Sequence, residues 1–369
     1  MRVLALAPLP VEAAATRLRL TQLQGPLADR GIDLTIHPFV DSATFATLYD
    51  RGAWPRTAAR LTRAAIRRIP DVWNARHFDA VLVQREAMLF GPPVVERLAA
   101  RAQGTALVLD LDDATYVAYD SPTYGRFARW LKWPGKTDTL ISMADGVTCG
   151  SRAIADYVMA QGTPATPVPT VVDLDVWVPR NKENDPPVIG WVGSHSTFPY
   201  LEAIVPALQD VARDHRFRLL VVGSGRRHLE IPGVDVEHRP WSLEREVRDF
   251  QELDIGLYPL PADDPWAAGK SGLKAVQYMA VGVPYVASPV GAAAEMGVEH
   301  LTHLFARSPD AWRQALSGLL ADADRRKRMG EAARANAEFN YPLVHAAEAL
   351  ARALFQAAAG RSGAHPPGE

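Results

Sequence analysis

The chain has 369 residues, of which 48% are hydrophobic and 22% are charged. This composition is typical of a globular protein and excludes intrinsic disorder as its organising principle, and the length predicts two domains. The 40 lysines and arginines nearly balance 42 aspartates and glutamates, so the net charge of -2 excludes the global basic field typical of nucleic-acid-binding proteins.

The cysteine content and the N-terminus indicate where the protein works. Cys149 is the single cysteine, which excludes a disulfide within the chain and any site built from several thiolates. Pro8 and Pro10 interrupt the apolar N-terminus before the core of a signal peptide could form, and no run of 18 apolar residues follows. We therefore expect a cytoplasmic protein without a membrane span.

Short apolar runs rich in β-branched residues alternate with longer helical patterns along most of the chain. This alternation predicts parallel sheets covered by helices. The predicted strands of a first domain are Arg2–Ala7, Leu34–Pro38, Ala80–Val83, Ala106–Leu109 and Gly146–Thr148.

The pattern breaks at the proline-rich segment 163–179, where we predict a hinge. The predicted strands of a second domain are Val188–Val192, Leu219–Val222, Val234–Glu237, Ile255–Tyr258 and Tyr285–Ala287. Ligands of such open parallel sheets bind beyond the carboxyl ends of the strands, so we expect the chemistry in the cleft between two doubly wound domains.

The segment after the predicted strand Val188–Val192 has the features of a phosphate-binding turn. Gly193 would allow a ligand to approach the main chain, Ser194 and Thr197 offer hydroxyls, and the backbone N–H groups at a following helix start would favour an anion. An ordinary strand-to-helix turn is an equally good interpretation. Gly223 lies in a second strand-to-glycine turn, which lacks the third glycine of a dinucleotide fingerprint.

Two lysines in a glycine-rich segment form the strongest candidate for a diphosphate site. Lys270 and Lys274 are four residues apart, so a helix would place them on one face, and Gly269 and Gly272 would allow close approach. Gln277 could hydrogen-bond ribose hydroxyls through its amide. The alternative is a solvated helix face.

Three carboxylates, Asp110, Asp112 and Asp113, end the predicted strand Ala106–Leu109, where crowding them is costly without a partner or a function. A Mg²⁺ site and a helix N-cap are alternatives. Four further side chains are predicted to project toward the cleft as acceptor-binding candidates, with surface ion pairs as the alternative: Arg17, Arg19, Arg85 and Glu86.

The segment 51–76 contains seven arginines and one opposing acid, Asp71, with apolar residues interleaved. Such a basic amphipathic segment can lie on anionic lipid, which would suit an enzyme with a lipid-linked acceptor. A plain solvated helix is an equally good interpretation.

The run from Gly269 to Gly291 resembles the donor-binding motif of retaining glycosyltransferases of family 4, and Ile189–Ser194 resembles another part of that family. Segments 167–178 and 310–334 are similar to its interdomain segment and C-terminal helices, so the resemblance covers most of the chain. It implies the GT-B fold, with two Rossmann-like domains facing each other across a cleft. The implied division is an acceptor domain 1–172, a donor domain 173–340, a helix 341–359 returning to the N-terminal domain and a flexible tail 360–369.

The resemblance implies transfer of a sugar from a nucleoside-diphosphate sugar to an acceptor hydroxyl with retained anomeric configuration, in glycan, glycolipid or metabolite biosynthesis. It implies no metal or other cofactor, because lysines can neutralise the diphosphate. The implied catalytic residues are Asp112, Asp113, Lys270 and Lys274. The implied donor-binding residues are Gly193, Ser194, Thr197, Gly223, Lys270, Lys274, Gln277, Gly291 and Glu295, with the amides of Gly193 and Ser194 also on the leaving diphosphate.

The sequence departs from the family at three positions. Many members carry two glutamates where this chain has Gly269 and Gln277, so diphosphate binding is better supported than the usual sugar contact. Many members also have a histidine near the position of Asp112. Two other functions stay open. One is a nucleotide-sugar epimerase, which is built on a similar two-domain plan, and the other is a catalytically degenerate sugar-nucleotide-binding subunit, which the missing glutamate at Gly269 suggests.

Overall fold

The computed structural model describes residues 1–48, 50, 52, 54–118, 131–180 and 183–362. It divides into two compact units. The first comprises Met1–Thr170, Gly269–Ser271 and the segment from Leu343, and the second comprises Val171–Ala268 and Gly272–Pro342. The three-residue segment Gly269–Ser271 is therefore counted with the first unit although the residues on either side of it belong to the second.

The first unit contains a six-stranded parallel sheet with the strand order β2-β1-β3-β4-β5-β6. Its strands are β1 (Arg2–Ala7), β2 (Asp33–Pro38), β3 (Ala80–Gln84), β4 (Ala106–Leu111), β5 (Gly146–Cys149) and β6 (Ala165–Pro167). Every residue of β3 and β4 is buried, because a parallel sheet is covered on both faces. The core includes Leu4, Val81 and Leu109.

The helices of the first unit fill the connections between its strands. They are α1 (Ala14–Arg19), α2 (Gln24–Ala28), α3 (Ser42–Phe45), α4 (Trp54–Asn74), α5 (Val94–Ala99), α6 (Lys136–Met143), α7 (Arg152–Met159) and the C-terminal α15 (Leu343–Ser362). Helix α15 packs on β4, β5 and α2. Arg30 and Glu348 form an ion pair at 2.8 Å, and Arg361 and Asp145 form one at 2.9 Å.

The second unit has its own six-stranded parallel sheet, with the strand order β12-β11-β10-β7-β8-β9. Its strands are β7 (Val188–Val192), β8 (Arg218–Val222), β9 (Asp235–Arg239), β10 (Ile255–Tyr258), β11 (Tyr285–Ala287) and β12 (His303–Phe305). Its helices are α8 (Phe198–Glu202), α9 (Val205–Asp214), α10 (Glu246–Gln251), α11 (Pro265–Ala268), α12 (Leu273–Ala280), α13 (Pro309–Ala321) and α14 (Ala323–Asn340). Ile189, Leu219 and Trp312 belong to its core.

The predicted fold class of two doubly wound Rossmann-like domains is confirmed. Within the predicted hinge segment 163–179, β6 (Ala165–Pro167) pairs with β5, a strand that the sequence analysis did not predict. Prolines are tolerated there because β6 lies at the edge of the sheet, where one side of the strand needs no ladder hydrogen bonds. Over the described ranges, none of the helices has both the length and the apolar character that crossing a bilayer requires.

Candidate active site

The carboxyl end of β4 in the first unit carries the three predicted aspartates. Asp110 is buried on the strand, and its carboxylate accepts two hydrogen bonds from the Arg19 guanidinium, at 2.8 and 2.5 Å. The Thr148 hydroxyl donates a third at 2.6 Å. This carboxylate therefore joins α1 to β4 and β5.

Arg19 itself is 3% exposed, although the sequence suggested that it binds the acceptor. Besides Asp110, its guanidinium donates to the carbonyl of Val168 at 2.8 Å and to the hydroxyl of Thr170 at 3.0 Å. Arg17 lies half-buried nearby in α1 and donates to the carbonyl of Glu12 at 3.2 Å. Because its guanidinium already donates to these buried acceptors, Arg19 is not among the acceptor-binding residues that we propose.

Asp112 is clamped by Arg85, which follows β3. Two nitrogens of the guanidinium donate to the two carboxylate oxygens of Asp112, at 2.5 and 2.7 Å. Burial acts to raise the pKa of Asp112, but the charge and hydrogen bonds of Arg85 and the charge of Arg19 outweigh it, so the pKa is lowered. Arg85 has a φ of 56°, a left-handed conformation that is uncommon for a residue with a Cβ. The bidentate pair and this backbone make Arg85 a rigid support for Asp112.

Asp113 has a different environment. Its Oδ1 accepts the N–H of Ala114 at 3.2 Å, and its Oδ2 lies 3.7 Å from a nitrogen of Arg85. Burial raises the pKa of Asp113, and the positive charges of Lys270 and Arg85 oppose that shift without cancelling it. With its side chain 17% exposed, Asp113 is the more accessible of the two carboxyls after β4 and the easier one to protonate.

Glu86, also a predicted acceptor residue, is paired with Lys136 at 2.9 Å. The Lys136 ammonium donates to the Met88 carbonyl as well, at 2.8 Å, and its side chain is 5% exposed. Local sequence patterns gave no signal for Lys136 as the partner of Glu86, because the two residues are fifty positions apart.

The segment Gly269–Ser271 packs within the first unit and brings Lys270 near Asp113. The Ser151 hydroxyl donates to the Gly269 carbonyl at 3.3 Å. A Cβ at position 269 would overlap Ala114, so a glutamate there would require the backbone to shift. Gly269 is thus a position where a side chain does not fit without a rearrangement.

The predicted phosphate turn lies at the carboxyl end of β7 in the second unit. A Cβ at Gly193 would overlap Trp191, and one at Gly223, where φ is 85°, would overlap the Gly193 carbonyl. The Gly193 N–H donates to the Val222 carbonyl at 3.0 Å. The two glycines therefore allow the turns after β7 and β8 to approach each other closely.

Ser194 and Thr197 form a turn that is closed by its own hydrogen bonds. The Ser194 N–H donates to the Thr197 hydroxyl at 3.1 Å, and the Ser194 and Ser196 hydroxyls are 2.8 Å apart. The amides of Gly193 and Ser194, which the sequence assigned to a diphosphate, thus already have acceptors within the protein. Helix α8 has only five residues, so it adds little dipole of its own. The Thr197 hydroxyl in turn donates to the Ser194 carbonyl at 3.2 Å, so a ligand of these hydroxyls would replace hydrogen bonds within the turn.

The predicted common helix face of Lys270 and Lys274 was wrong. Helix α12 begins at Leu273, and Gly272 before it has a φ of 72°, so Lys270 precedes the helix. A Cβ at Gly272 would overlap the Met296 side chain.

Lys274 lies in the first turn of α12 and is held by a chain of polar contacts. Its ammonium donates to the Gln277 side-chain carbonyl at 2.7 Å and lies 5.2 Å from the Phe250 ring centroid. The Gln277 amide donates to Glu246 at 3.3 Å, and Gln277 is completely buried. Gln277 was predicted to bind ribose, but these contacts suit a residue that positions Lys274.

Two predicted donor-binding residues lie on the turn after β11. Gly291 has a φ of 56°, and a Cβ there would overlap the Ala268 carbonyl. Glu295 is exposed just after a 3-10 helix over Gly291–Ala294. Glu295 is therefore accessible to a ligand, whereas Gly291 allows the backbone to approach the Ala268 carbonyl closely.

Sequence reasoning missed Glu246, Phe250 and Lys136, which hold the predicted residues in place. As for metals, no group of three or more His, Cys, Asp and Glu side chains within the described ranges could hold an ion. The metal-independence expected from the sequence stays a prediction.

Residues 186–322 match the family model described as glycosyl transferases group 1. No curated protein sequence matches the chain.

Several solved structures resemble the chain over nearly its whole length. Sucrose-phosphate synthase from Thermosynechococcus elongatus has 14% identity and a TM-score of 0.68, with 95% of this chain and 98% of that one covered. A glycosyltransferase from Rickettsia africae has 14% identity and a TM-score of 0.67, with 98% of each chain covered. Anabaena HepE in complex with UDP-glucose has 15% identity and a TM-score of 0.63, covering 96% and 99%. At this identity the likeness shows the fold, which is the two-domain GT-B fold of glycosyltransferases.

Proposed function

We propose that the protein is a retaining glycosyltransferase that moves a sugar from a nucleoside-diphosphate sugar to an acceptor hydroxyl, in the synthesis of a glycan, a glycolipid or a glycosylated metabolite. The observation that carries the proposal is the match of residues 186–322 to a glycosyltransferase family. This segment contains both the turn after β7 and Lys274, whose ammonium donates to Gln277. The GT-B fold agrees with a transferase, although fold alone does not define an activity.

For donor binding, the second unit contributes Lys274, whose ammonium is oriented by Gln277 and can pair with a diphosphate oxygen. The hydroxyls of Ser194 and Thr197 are further donors to a phosphate, and Glu295 is accessible to a ribose or sugar hydroxyl. Uridine nucleotides are the first probes to use, because HepE, which has the same fold, was solved with UDP-glucose.

For acceptor chemistry, we assign the carboxyl that binds the acceptor hydroxyl to Asp113 and a supporting role to Asp112. Arg85 holds both oxygens of Asp112, whereas Asp113 is more accessible and has Lys270 as a neighbouring charge. Asp113 would hydrogen-bond the acceptor hydroxyl and orient it toward the anomeric carbon. A donor phosphate oxygen would take the hydroxyl proton as the bond to the diphosphate breaks, and the lysines would stabilise the charge on the leaving group.

The direct test is incubation of the purified protein with UDP-sugars and candidate acceptors, with the product's anomeric configuration read by NMR. Transfer with retention, unaffected by EDTA, is the expected result. Transfer with inversion would overturn the proposed mechanism, and loss of activity in EDTA would overturn metal-independence.

A second function, a sugar-nucleotide-binding subunit without turnover, is favoured by one observation. The position of the family's first glutamate is Gly269, where Ala114 leaves no space for a side chain. Donor binding without transfer, with every acceptor supplied, would select this alternative.

A further inference from the structure

Helix α4 of the first unit has one buried face and one exposed face. Thr57, Ala64, Arg68 and Asp71 are buried on the side that faces the core. The Arg68 guanidinium donates to the carbonyls of Ala87 and Ala7, at 2.9 and 2.7 Å, and to Asp71 at 2.9 Å. These contacts fix the rotation of the helix about its axis and therefore determine which residues face outward.

The outward face carries three large apolar side chains in one line. Ile66, Ile69 and Trp73 are 61%, 55% and 65% exposed. Their spacing of three and four residues places them on one stripe of the helix. Pro55, Ala59 and Thr62 are exposed and extend the same stripe toward the N-terminus. Single exposed apolar residues are ordinary, but a stripe of this kind indicates a surface that is covered in use.

A row of arginines runs beside the apolar stripe. Its members, Arg56, Arg60, Arg63 and Arg67, recur at intervals of four, three and four residues and are all exposed. Arg67 lies 3.6 Å from Asp41, and because both side chains are more than half exposed, water screens this pair and it can be exchanged at little cost. One guanidinium nitrogen of Arg60 donates to the Ala43 carbonyl of α3 at 2.9 Å.

The two rows together determine what can cover the face. The partner must accept apolar side chains and carry negative charge along the adjacent row. An anionic bilayer supplies both, since acyl chains take up isoleucine and tryptophan while lipid phosphates pair with arginine. A second copy of the chain would instead place its own row of arginines in the same interface, where the two rows of like charge would repel each other.

We propose that α4 lies in the interface of an anionic membrane, with Ile66, Ile69 and Trp73 inserted and the four arginines on lipid phosphates. The sequence predicted a membrane-binding segment over 51–76, and the proposal narrows it to one face of α4. Arg51 lies outside the described residues. The inference rests on this face alone and holds whether or not the protein transfers a sugar.

The test is co-sedimentation of the full chain with vesicles of phosphatidylcholine alone and of equimolar phosphatidylcholine and phosphatidylglycerol. We expect binding to the anionic vesicles, weak binding to the neutral ones and release at high salt. Changing Ile66, Ile69 and Trp73 to serine should lower the partition coefficient about 100-fold, and changing the four arginines to glutamine should do so by at least as much.

Matched controls keep the test independent of folding. Phe339→Ser removes an aromatic side chain that is 80% exposed on α14, and Arg213→Gln removes an arginine that is 78% exposed on α9. Both controls should bind like the wild type, and all variants should keep its circular dichroism and unfolding midpoint. Equal binding of the α4 variants and the wild type would overturn the proposal. A lack of binding to anionic vesicles would also overturn it, and so would the finding that the wild type is a dimer and the serine variant a monomer.

Discussion

The two parallel sheets of this protein are built alike, but the groups at their carboxyl ends differ. In the first unit, Arg19 and Arg85 hold Asp110 and Asp112 in bidentate pairs. In the second unit, the turns at Gly193 and Gly223 bring backbone together, and Lys274 is held by neutral Gln277. The carboxyl ends of β3 and β4 are thus organised by charge pairs, and the turns after β7 and β8 by close backbone packing. At the end of β9 the second sheet has a charge pair of its own, between Arg239 and the buried Asp249.

This difference predicts different consequences of mutation. Removing one member of a buried charge pair leaves the other charge without compensation, so most positions at the carboxyl ends of β3 and β4 should affect stability. Lys274 donates to the uncharged side chain of Gln277, and we expect its removal to act mainly on ligand binding. Asp113 is expected to be the exception in the first unit.

The largest expected effect is that of Arg19→Ala, which leaves the buried Asp110 carboxylate unpaired. We expect the free energy of unfolding to fall by about 4 kcal/mol. Urea denaturation followed by circular dichroism measures this, with the exposed Arg213→Ala as the control. A loss below about 1 kcal/mol would show that the pair does not organise this edge.

The next effect concerns the rate of transfer. Asp113→Asn should lower kcat about 100-fold, because the acceptor hydroxyl is no longer held in the reactive orientation, with the donor affinity and the fold unchanged. Steady-state kinetics and calorimetry on the same preparation separate the two quantities. Wild-type kcat in this variant would remove Asp113 from the mechanism.

Asp112 and Asp113 should also differ in how their variants respond to pH. Because the folded-state pKa of Asp112 is lowered, its pairing stabilises the fold above the unfolded pKa of about 3.9 and is lost as the pH falls through the folded-state value. Asp112→Asn should therefore cost about 2 kcal/mol at pH 7 and progressively less in acid.

The folded-state pKa of Asp113 is raised, so its ionised form destabilises the fold at neutral pH. Asp113→Asn should be slightly stabilising at pH 7, with the gain disappearing below about pH 3.9. Unfolding midpoints measured across this range test both signs, and parallel pH profiles for the two variants would contradict the distinct environments.

A pH-dependent effect on stability is also expected in the second unit, from His303 on β12. Burial lowers the pKa of His303 to about 4, while the unfolded chain protonates near 6.5. Stability is therefore fully present above pH 6.5 and falls toward pH 4, by up to about 3 kcal/mol. His303→Phe should flatten this part of the profile of unfolding midpoint against pH, and an unchanged slope would exclude His303 as its source.

Much of the fold could be predicted from the sequence because the buried strands of parallel sheets are continuous apolar runs, as in Val188–Val192. The strands that escaped prediction are three residues long and lie at sheet edges. Ala165–Pro167 ends in proline, and His303–Phe305 begins with a histidine. Neither has enough apolar residues to stand out from a loop.

The site was predictable only to the extent that its residues are neighbours in sequence. The aspartates after β4 and the lysines near α12 were visible as clusters. Their partners were not, since Arg19 is 91 residues from Asp110 and Glu246 is 31 residues from Gln277. The prediction that Lys270 and Lys274 share a helix face was wrong because α12 begins at Leu273, after Lys270, with Gly272 as its N-cap residue.

The measurement that tests the account most directly is a calorimetric titration with UDP and UDP-glucose of the wild type, Lys274→Ala and the control Arg213→Ala. The account predicts saturable binding to the wild type and control, and an affinity at least about 10-fold lower for Lys274→Ala, as expected for loss of a charge-assisted hydrogen bond. Equal affinity in all three proteins would contradict the role of Lys274. Failure of the wild type to bind any nucleoside-diphosphate sugar would contradict the proposed function itself.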